Sequence, residues 1–232
     1  MSQQSAGTKT RILDVAERLF AERGFDAPSL RTITAAANVN LASIHYHFGS
    51  KEALVREVLL RRIGPLNAER LRLLDESERK ANGAPVPLGE ILEAFVRPVM
   101  KLWAEDPRRL PDTVRLIARL HVEQGERSRG LLKELFLDTG QRFLRALECA
   151  LPWLPTRELH SRAVFCIGAM ALSVLAHGSF QAMLGSGMEV SEPESFEQQL
   201  VTFLAAGLQT PAYRSGGPTE GGDEAQALLA TQ

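Results

Sequence analysis

Apolar residues recur at intervals of three and four along most of this 232-residue chain, which is the spacing of one face of an α-helix. In the first such stretch, the shared face contains Ile12, Leu13, Ala16, Leu19 and Phe20. Alternating β-branched residues, which would indicate a half-buried strand, form no run that competes with this pattern. The sequence therefore predicts an all-α fold.

Three helices are predicted within the first fifty residues, and each begins at a residue whose side chain can cap it. Asn38 lies between the second and third helices and suits the left-handed backbone of a tight turn. Two short helices joined in this way, after a supporting helix, are typical of a helix-turn-helix, whose second helix enters the major groove of DNA. The predicted helices are 9–23, 30–37 and 41–46, with N-caps Thr8, Ser29 and Asn40.

A fourth helix is predicted to begin after the N-cap Ser50 and to end near residue 80. Gly64 and Pro65 lie in its middle, and proline removes a helical N–H and clashes with the preceding turn, so we expect a kink or a break there. Five more helices follow at about 88–104, 112–124, 128–151, 158–183 and 195–208, with Ser195 as the last N-cap.

The chain is thus predicted to contain two domains and a tail. Residues 1–54 form a three-helix helix-turn-helix DNA-binding domain, and residues 55–208 form a helical domain for ligand binding and dimerisation. Residues 209–232 are rich in Gly, Ser, Pro and Glu, and we expect them to be disordered.

The formal net charge of −1 hides an uneven distribution. Residues 1–62 contain nine Lys and Arg against six Asp and Glu, whereas the remaining residues contain eighteen against twenty-two. A modestly basic N-terminal part on an acidic body fits a local surface for DNA phosphates.

Neither a membrane span nor a secretory signal is expected. The longest apolar stretch, 163–176, is shorter than the roughly eighteen residues that a span needs, and the first eight residues are polar. Cys149 and Cys166 lie in apolar runs without metal-binding spacing and are predicted to be small buried side chains. We expect a soluble, cytoplasmic protein that makes no contact with a membrane.

Helical period assigns roles within the third helix. Ile44 points to the core, whereas Ala42, Ser43 and His45 point outward on short side chains that allow close approach to base edges. Groups suited to phosphate surround them. These are Ser29 at a helix N-terminus, Arg31, the Tyr46 hydroxyl, His47 and Lys51.

The sequence ILDVAERLFAERGFDAPSLRTITAAANVNLASIHYHFGSKEALVREVL, residues 12–59, resembles the DNA-binding domain of the TetR family of bacterial regulators over its whole length. The resemblance implies an all-helical homodimer, repression at a near-palindromic operator in double-stranded DNA, and an inducer pocket in the body. It is carried by Val39, Ile44, Tyr46, His47, Phe48, Ser50, Lys51, Glu52 and Leu54. The DNA contacts that it implies are Ser29, Arg31, Leu41, Ala42, Ser43, His45, Tyr46, His47 and Lys51.

A finer resemblance concerns the ligand. VNLASIHYHFGSK followed by RRIGPLNAERL is similar to the PsrA-like subgroup, whose regulators respond to fatty acids. This implies a small apolar ligand such as a fatty acid or an acyl compound. His45 departs from the Asn that this subgroup often has there, which leaves the operator sequence open.

Residues 88–208 contain no G-x-S-x-G, HExxH, P-loop or dinucleotide fingerprint, so we expect no enzyme activity, no cofactor and no metal. Bulky apolar side chains there are candidates to line a cavity, and Arg115, Arg119 and His177 are candidates to meet a polar head group. The predicted ligand contacts are Phe95, Trp103, Arg119, Phe136, Phe143, Met170 and His177.

Small residues in 158–183 allow close approach of helices, and with 195–208 this segment is predicted to form a four-helix homodimer interface. Two other functions remain open from the residues alone. One is an enzyme in the helical body, which turnover of a ligand would reveal. The other is a DNA-binding protein of the same fold whose signal is another protein, which a large dry cavity would disfavour.

Overall fold

The computed structural model describes residues 2–106, 109–122, 125–184 and 193–213, and every regular element in these ranges is an α-helix. The all-α fold is confirmed. Most predicted helix ends lie within three residues of the observed ones. The helices are α1 (Ser2–Arg23), α2 (Leu30–Ala37), α3 (Leu41–Phe48), α4 (Lys51–Ala81), α5 (Leu88–Glu105), α6 (Arg109–Val122), α7 (Glu126–Ala150), α8 (Thr156–Leu184) and α9 (Pro193–Gln209).

The caps that set the helix-turn-helix are those expected from the sequence. The side-chain oxygens of Ser29, Asn40 and Ser50 accept hydrogen bonds from the N–H groups of Thr32, Ser43 and Ala53, at 3.0, 2.8 and 3.1 Å. Asn38 has φ 51° and ψ 54°, the left-handed conformation that Asn tolerates better than most residues. The local sequence therefore fixes both ends of the turn.

Three predicted starts and ends were wrong. Helix α1 begins at Ser2, so Thr8 lies inside the helix and is not its N-cap. Helix α3 continues to Phe48, which is buried. Helix α9 begins at Pro193, so Ser195 lies in its first turn and does not cap it.

The break expected at Gly64–Pro65 does not occur, because α4 is one helix from Lys51 to Ala81. Pro65 is exposed, while Ile63 and Leu66 on either side are buried. Burying apolar side chains before and after the proline offsets the missing hydrogen bond, since each such side chain contributes about 1.5–3 kcal/mol.

Two apolar cores lie along α4. The N-terminal core contains the buried faces of α1 to α3 and of α4 as far as Ile63, together with Leu116 and Leu120 of α6 and Leu135 of α7. The body core contains Leu66 and Leu74 of α4 and the inward faces of α5 to α9. The domain boundary expected after residue 54 falls inside α4, and the division into domains stays a prediction.

The first residues of the expected tail are held in place. The guanidinium of Arg162 donates to the carbonyl oxygens of Leu208 and Pro211, both at 2.9 Å. The carboxylate of Glu158 accepts the N–H of Tyr213 at 3.0 Å, and this bond is the main reason that the pKa of that carboxyl lies below its usual value. Disorder therefore does not begin at residue 209. Residues 214–232 lie outside the described residues.

One further expectation, that both cysteines are buried, was wrong. Cys149 is exposed and not buried, while Cys166 is half-buried and burial raises the pKa of its thiol. Thr156–Leu175 of α8 is, by length and composition, apolar enough to cross a membrane, and only 17% of that stretch is buried.

Gly64 and Gly49 allow the effect of backbone conformation to be measured apart from the effect of steric crowding. A Cβ at Gly64 or at Gly49 would meet no atom within 4 Å, but only Gly49 has a positive φ, 76°. We expect Gly64→Ala to raise the free energy of unfolding by about 1 kcal/mol, because Ala is the better helix former. Gly49→Ala should lower it by about 1–2 kcal/mol. Urea denaturation measures both, and shifts of the same sign would contradict this explanation.

Candidate nucleic-acid interface and ligand cavity

Helix α3 exposes the face that the sequence predicted. Ile44 is buried in the N-terminal core, whereas Ala42 and His45 are exposed and Tyr46 is 81% exposed. Leu41 is also exposed, and Ser43 is half-buried. A helix anchored on one side and bare on the other can enter the major groove without rearrangement.

Two of the polar side chains on this face, Ser43 and His45, have a donor already engaged. Ser43 donates its hydroxyl hydrogen to Asn40 Oδ1 at 2.8 Å. His45 Nδ1 lies 3.1 Å from the carbonyl oxygen of Gly49, so a neutral ring with its proton there leaves Nε2 as an acceptor. Both side chains thus offer acceptors, which suit the amino groups of adenine and cytosine in the major groove.

The predicted phosphate contacts flank α3. Ser29 and Arg31 are exposed at the start of α2, and His47 is half-buried with its ring 5.0 Å from that of Tyr46. Lys51 already has a partner within the protein, because its Nζ donates to the carbonyl oxygen of Asp26 at 2.7 Å. An ammonium has three N–H groups, so this bond leaves two for a phosphate.

Ion pairs join α1 to α4 beneath this surface. Lys9 pairs with Glu57 at 3.0 Å and Asp14 with Arg61 at 2.7 Å, and both pairs are largely exposed. The pair between Glu17 and Arg62 is nearly buried. Exposed pairs contribute little and a buried pair loses much of its gain to desolvation, so the apolar contacts account for most of the attachment.

A cavity of about 280 Å³ lies in the body between α4, α5, α6, α7 and α8. Three of the predicted ligand contacts, Phe95, Phe136 and Met170, line it. A second cavity of about 330 Å³ adjoins it and is lined by Phe143, with Phe95 and Ile167 bordering both. The walls are almost entirely apolar, which suits an apolar ligand.

The remaining predicted contacts lie elsewhere. Trp103 packs on Phe196, with ring centroids 5.4 Å apart. Arg119 donates to the carbonyl oxygens of Ala21 and Glu22 at 3.2 and 2.9 Å, and Arg115 pairs with Asp112. The side chain of His177 lies outside the described residues.

The charged group in the cavity wall is one that sequence reasoning missed. Arg70 lines the cavity and is 4% exposed, and its guanidinium lies 4.0 Å from the centroid of the Phe95 ring. Burial lowers its pKa to about 9, so the group remains protonated at neutral pH. Its position four residues after Leu66 and four before Leu74 puts it on the inward stripe of α4, and that spacing could have identified it.

Family models match both parts of the chain. Residues 12–58 match bacterial regulatory proteins of the tetR family, and residues 93–207 match a C-terminal domain described as tetracyclin repressor-like.

Curated relatives are similar over part of their length. The repressor KstR2 of Rhodococcus jostii is 46% identical over 54 residues, which are 23% of this chain and 26% of that protein. The regulator AcrR of Shigella flexneri is 32% identical over 108 residues, 47% of each chain. The chain thus matches less than half the length of these relatives.

Solved structures share the fold over most of the chain. A TerR/AcrR-family regulator from Aquifex aeolicus is 24% identical with a TM-score of 0.54, covering 86% of this chain and 99% of that one. A transcriptional regulator from Pseudomonas aeruginosa is 20% identical with a TM-score of 0.59, covering 86% and 88%. Together with the family matches, these results show that the chain belongs to the TetR family of DNA-binding transcriptional regulators, which are not enzymes.

Proposed function

We propose that this regulator is a cytoplasmic repressor that leaves its operator when a small apolar ligand, such as a fatty acid or an acyl compound, occupies the cavity bordered by α6. The observation that carries the proposal is the position of α6. Thr113, Val114 and Ile117 line the cavity, while Leu116 and Leu120 are buried in the N-terminal core. One helix therefore contacts the ligand space and the DNA-binding part at once.

Arg119 extends this link to the end of α1. Its guanidinium donates to the carbonyl oxygens of Ala21 and Glu22, which lie in the last turn of α1, where carbonyl groups lack helical partners. A positive charge is also favourable at a helix C-terminus. A shift of α6 that enlarges the cavity would move this attachment.

The DNA side of the proposal assigns base reading to Ser43 and His45, with Ala42 and Leu41 as apolar neighbours. Ser29, Arg31, Tyr46, His47 and Lys51 would contact phosphates. The support is the exposed face of α3 and the acceptors that it presents. Two copies of α3 in a two-fold dimer would read a near-palindrome with half-sites about one helical turn, or a small multiple, apart.

For the dimer itself, we propose the exposed face of α8 and α9, within 158–183 and 195–208. TetR regulators form dimers. Large apolar side chains are exposed on these two helices, which is unusual for a surface that stays in water. Dimerisation through this face would also bury the stretch of α8 that is apolar enough to cross a membrane. These side chains are Val164, Phe165, Ile167, Leu172 and Phe203, each at least 50% exposed.

We expect His45→Ala to weaken operator binding by about 1–3 kcal/mol and to relax the preference at one base pair per half-site, because a base contact is lost. Binding to operators varied at each position measures this. Unchanged preference at every position would show that His45 does not read a base.

Lys51→Ala tests a phosphate contact and is compared with His45→Ala, which tests a base contact. It should weaken binding to operator and random DNA alike and flatten the salt dependence by about one unit. Because Lys51 also bonds to Asp26, the melting temperature of each variant is compared with that of the wild type.

Phe165→Glu should dissociate the dimer, because it would place an unpaired charge in the interface at a cost of about 3 kcal/mol or more. Sedimentation measures the change, and operator affinity should fall with it. Leu137→Glu is the control, since Leu137 is 44% exposed on α7. A Phe165→Glu protein that remains a dimer would rule out this interface.

The ligand mechanism is tested by titrating medium-chain and long-chain fatty acids, and the matching alcohols, against a preformed complex of protein and operator. Binding linkage requires that a ligand which lowers operator affinity binds more weakly to the DNA complex by the same factor. We expect Arg119→Ala to reduce that factor at least about threefold, while Arg115→Ala leaves it unchanged. Ligands that bind without changing operator affinity would contradict this mechanism and leave a protein signal as the alternative.

A further inference from the structure

We propose that the ligand carries one negative charge, a carboxylate on an apolar body, and that Arg70 and Thr139 bind it inside the cavity. The proposal rests on the function proposed above, in which a ligand occupies this cavity. It specifies the polar group of that ligand and assigns to Arg70 a charged contact in a cavity whose walls are otherwise almost entirely apolar.

The first observation is a buried positive charge without a counter-charge. Arg70 is 4% exposed, and among the residues that the structure describes no carboxylate pairs with it. Its Nε donates to the carbonyl oxygen of Phe95 at 2.9 Å, and a terminal nitrogen donates to Asn67 Oδ1 at 3.3 Å. A guanidinium has five N–H groups, so three remain for a ligand.

A second polar group lines the same cavity. Thr139 is 5% exposed, and its hydroxyl forms no hydrogen bond with any described residue. The hydroxyl lies in the wall of the cavity, where it can donate a hydrogen bond to an acceptor on a ligand.

The packing of α4 against α7 places the two groups near each other. Asn67 Nδ2 donates to the carbonyl oxygen of Leu135 at 2.8 Å, and Arg142 pairs with Asp75. Arg70 lies between Asn67 and Asp75 on α4, and Thr139 lies between Leu135 and Arg142 on α7. The two side chains therefore enter the cavity at the same crossing of helices.

The charge of the ligand follows from the fact that Arg70 is the only lysine or arginine among the described residues that line this cavity. One guanidinium, two of whose N–H groups are already bonded, can neutralise one carboxylate. A phosphate ester or a coenzyme A thioester would bring further charges into an apolar space, where an unpaired charge loses its hydration without gaining a partner. An alcohol or an ester of the same length would leave Arg70 without a counter-charge. The geometry thus favours a free carboxylic acid in its ionised form.

The test compares decanoate, 1-decanol and decanoyl-coenzyme A on the full-length protein by calorimetry. We expect the wild type to bind decanoate roughly 10-fold to 100-fold more tightly than the alcohol, the range for hydrogen bonds to a charged group. Arg70→Met should remove that preference and keep the affinity for the alcohol, because Met retains an unbranched apolar stem and lacks the charge. Arg115→Met, on the exposed side of α6, should behave as the wild type.

Thr139→Val keeps the shape of the side chain and removes its hydroxyl. We expect it to lower the affinity for decanoate alone, by about threefold to tenfold. Circular dichroism and the melting temperature verify that each variant is folded. An equal preference in the wild type and Arg70→Met, or tighter binding of the coenzyme A thioester, would overturn the assignment to Arg70. If decanol binds and releases the operator as well as decanoate does, the assignment to Arg70 also fails, but the proposed function stands. If none of the three compounds binds, the cavity is not the site of such ligands and both proposals fail.

Discussion

The burial of the inward stripe of α4 is the constraint on which the rest of the structure depends. Residues up to Ile63 are part of the N-terminal core, and Leu66 and Leu74 are part of the body core. Since the helix is continuous through Pro65, neither core can rotate about α4 without breaking apolar contacts in its own half. The orientation of α3 is thus tied to the packing of the body.

Helix α6 provides the second connection, and it differs in kind. Its contacts with the N-terminal core combine two leucines with the hydrogen bonds of Arg119, while Leu110 belongs to the body core and Ile117 borders the cavity. A helix that borders a cavity has fewer contacts to break on that side when it moves. On the function proposed above, a ligand in this cavity would move α6 at a low cost in packing.

The sequence was most informative where the chemistry is local. The caps Ser29, Asn40 and Ser50 and the left-handed Asn38 could be predicted because each depends on neighbours within three residues. The break at Pro65 could not be judged, because its outcome depends on apolar partners far away in the chain. The hydrogen bonds that Arg119 and Lys51 donate within the protein were missed for the same reason, since the acceptors are backbone carbonyls 97 and 25 residues away.

Arg70 also has a consequence for the lifetime of the protein. A buried cation without a counter-charge makes the empty body less stable than one with an anion beside it. Ligand binding to the folded state alone adds stability in proportion to the logarithm of ligand concentration. On the function proposed here, the empty protein that holds the operator would unfold more often and be more open to proteases than the liganded protein. The cellular amount of the regulator would then rise when its ligand is abundant and fall when the ligand is exhausted.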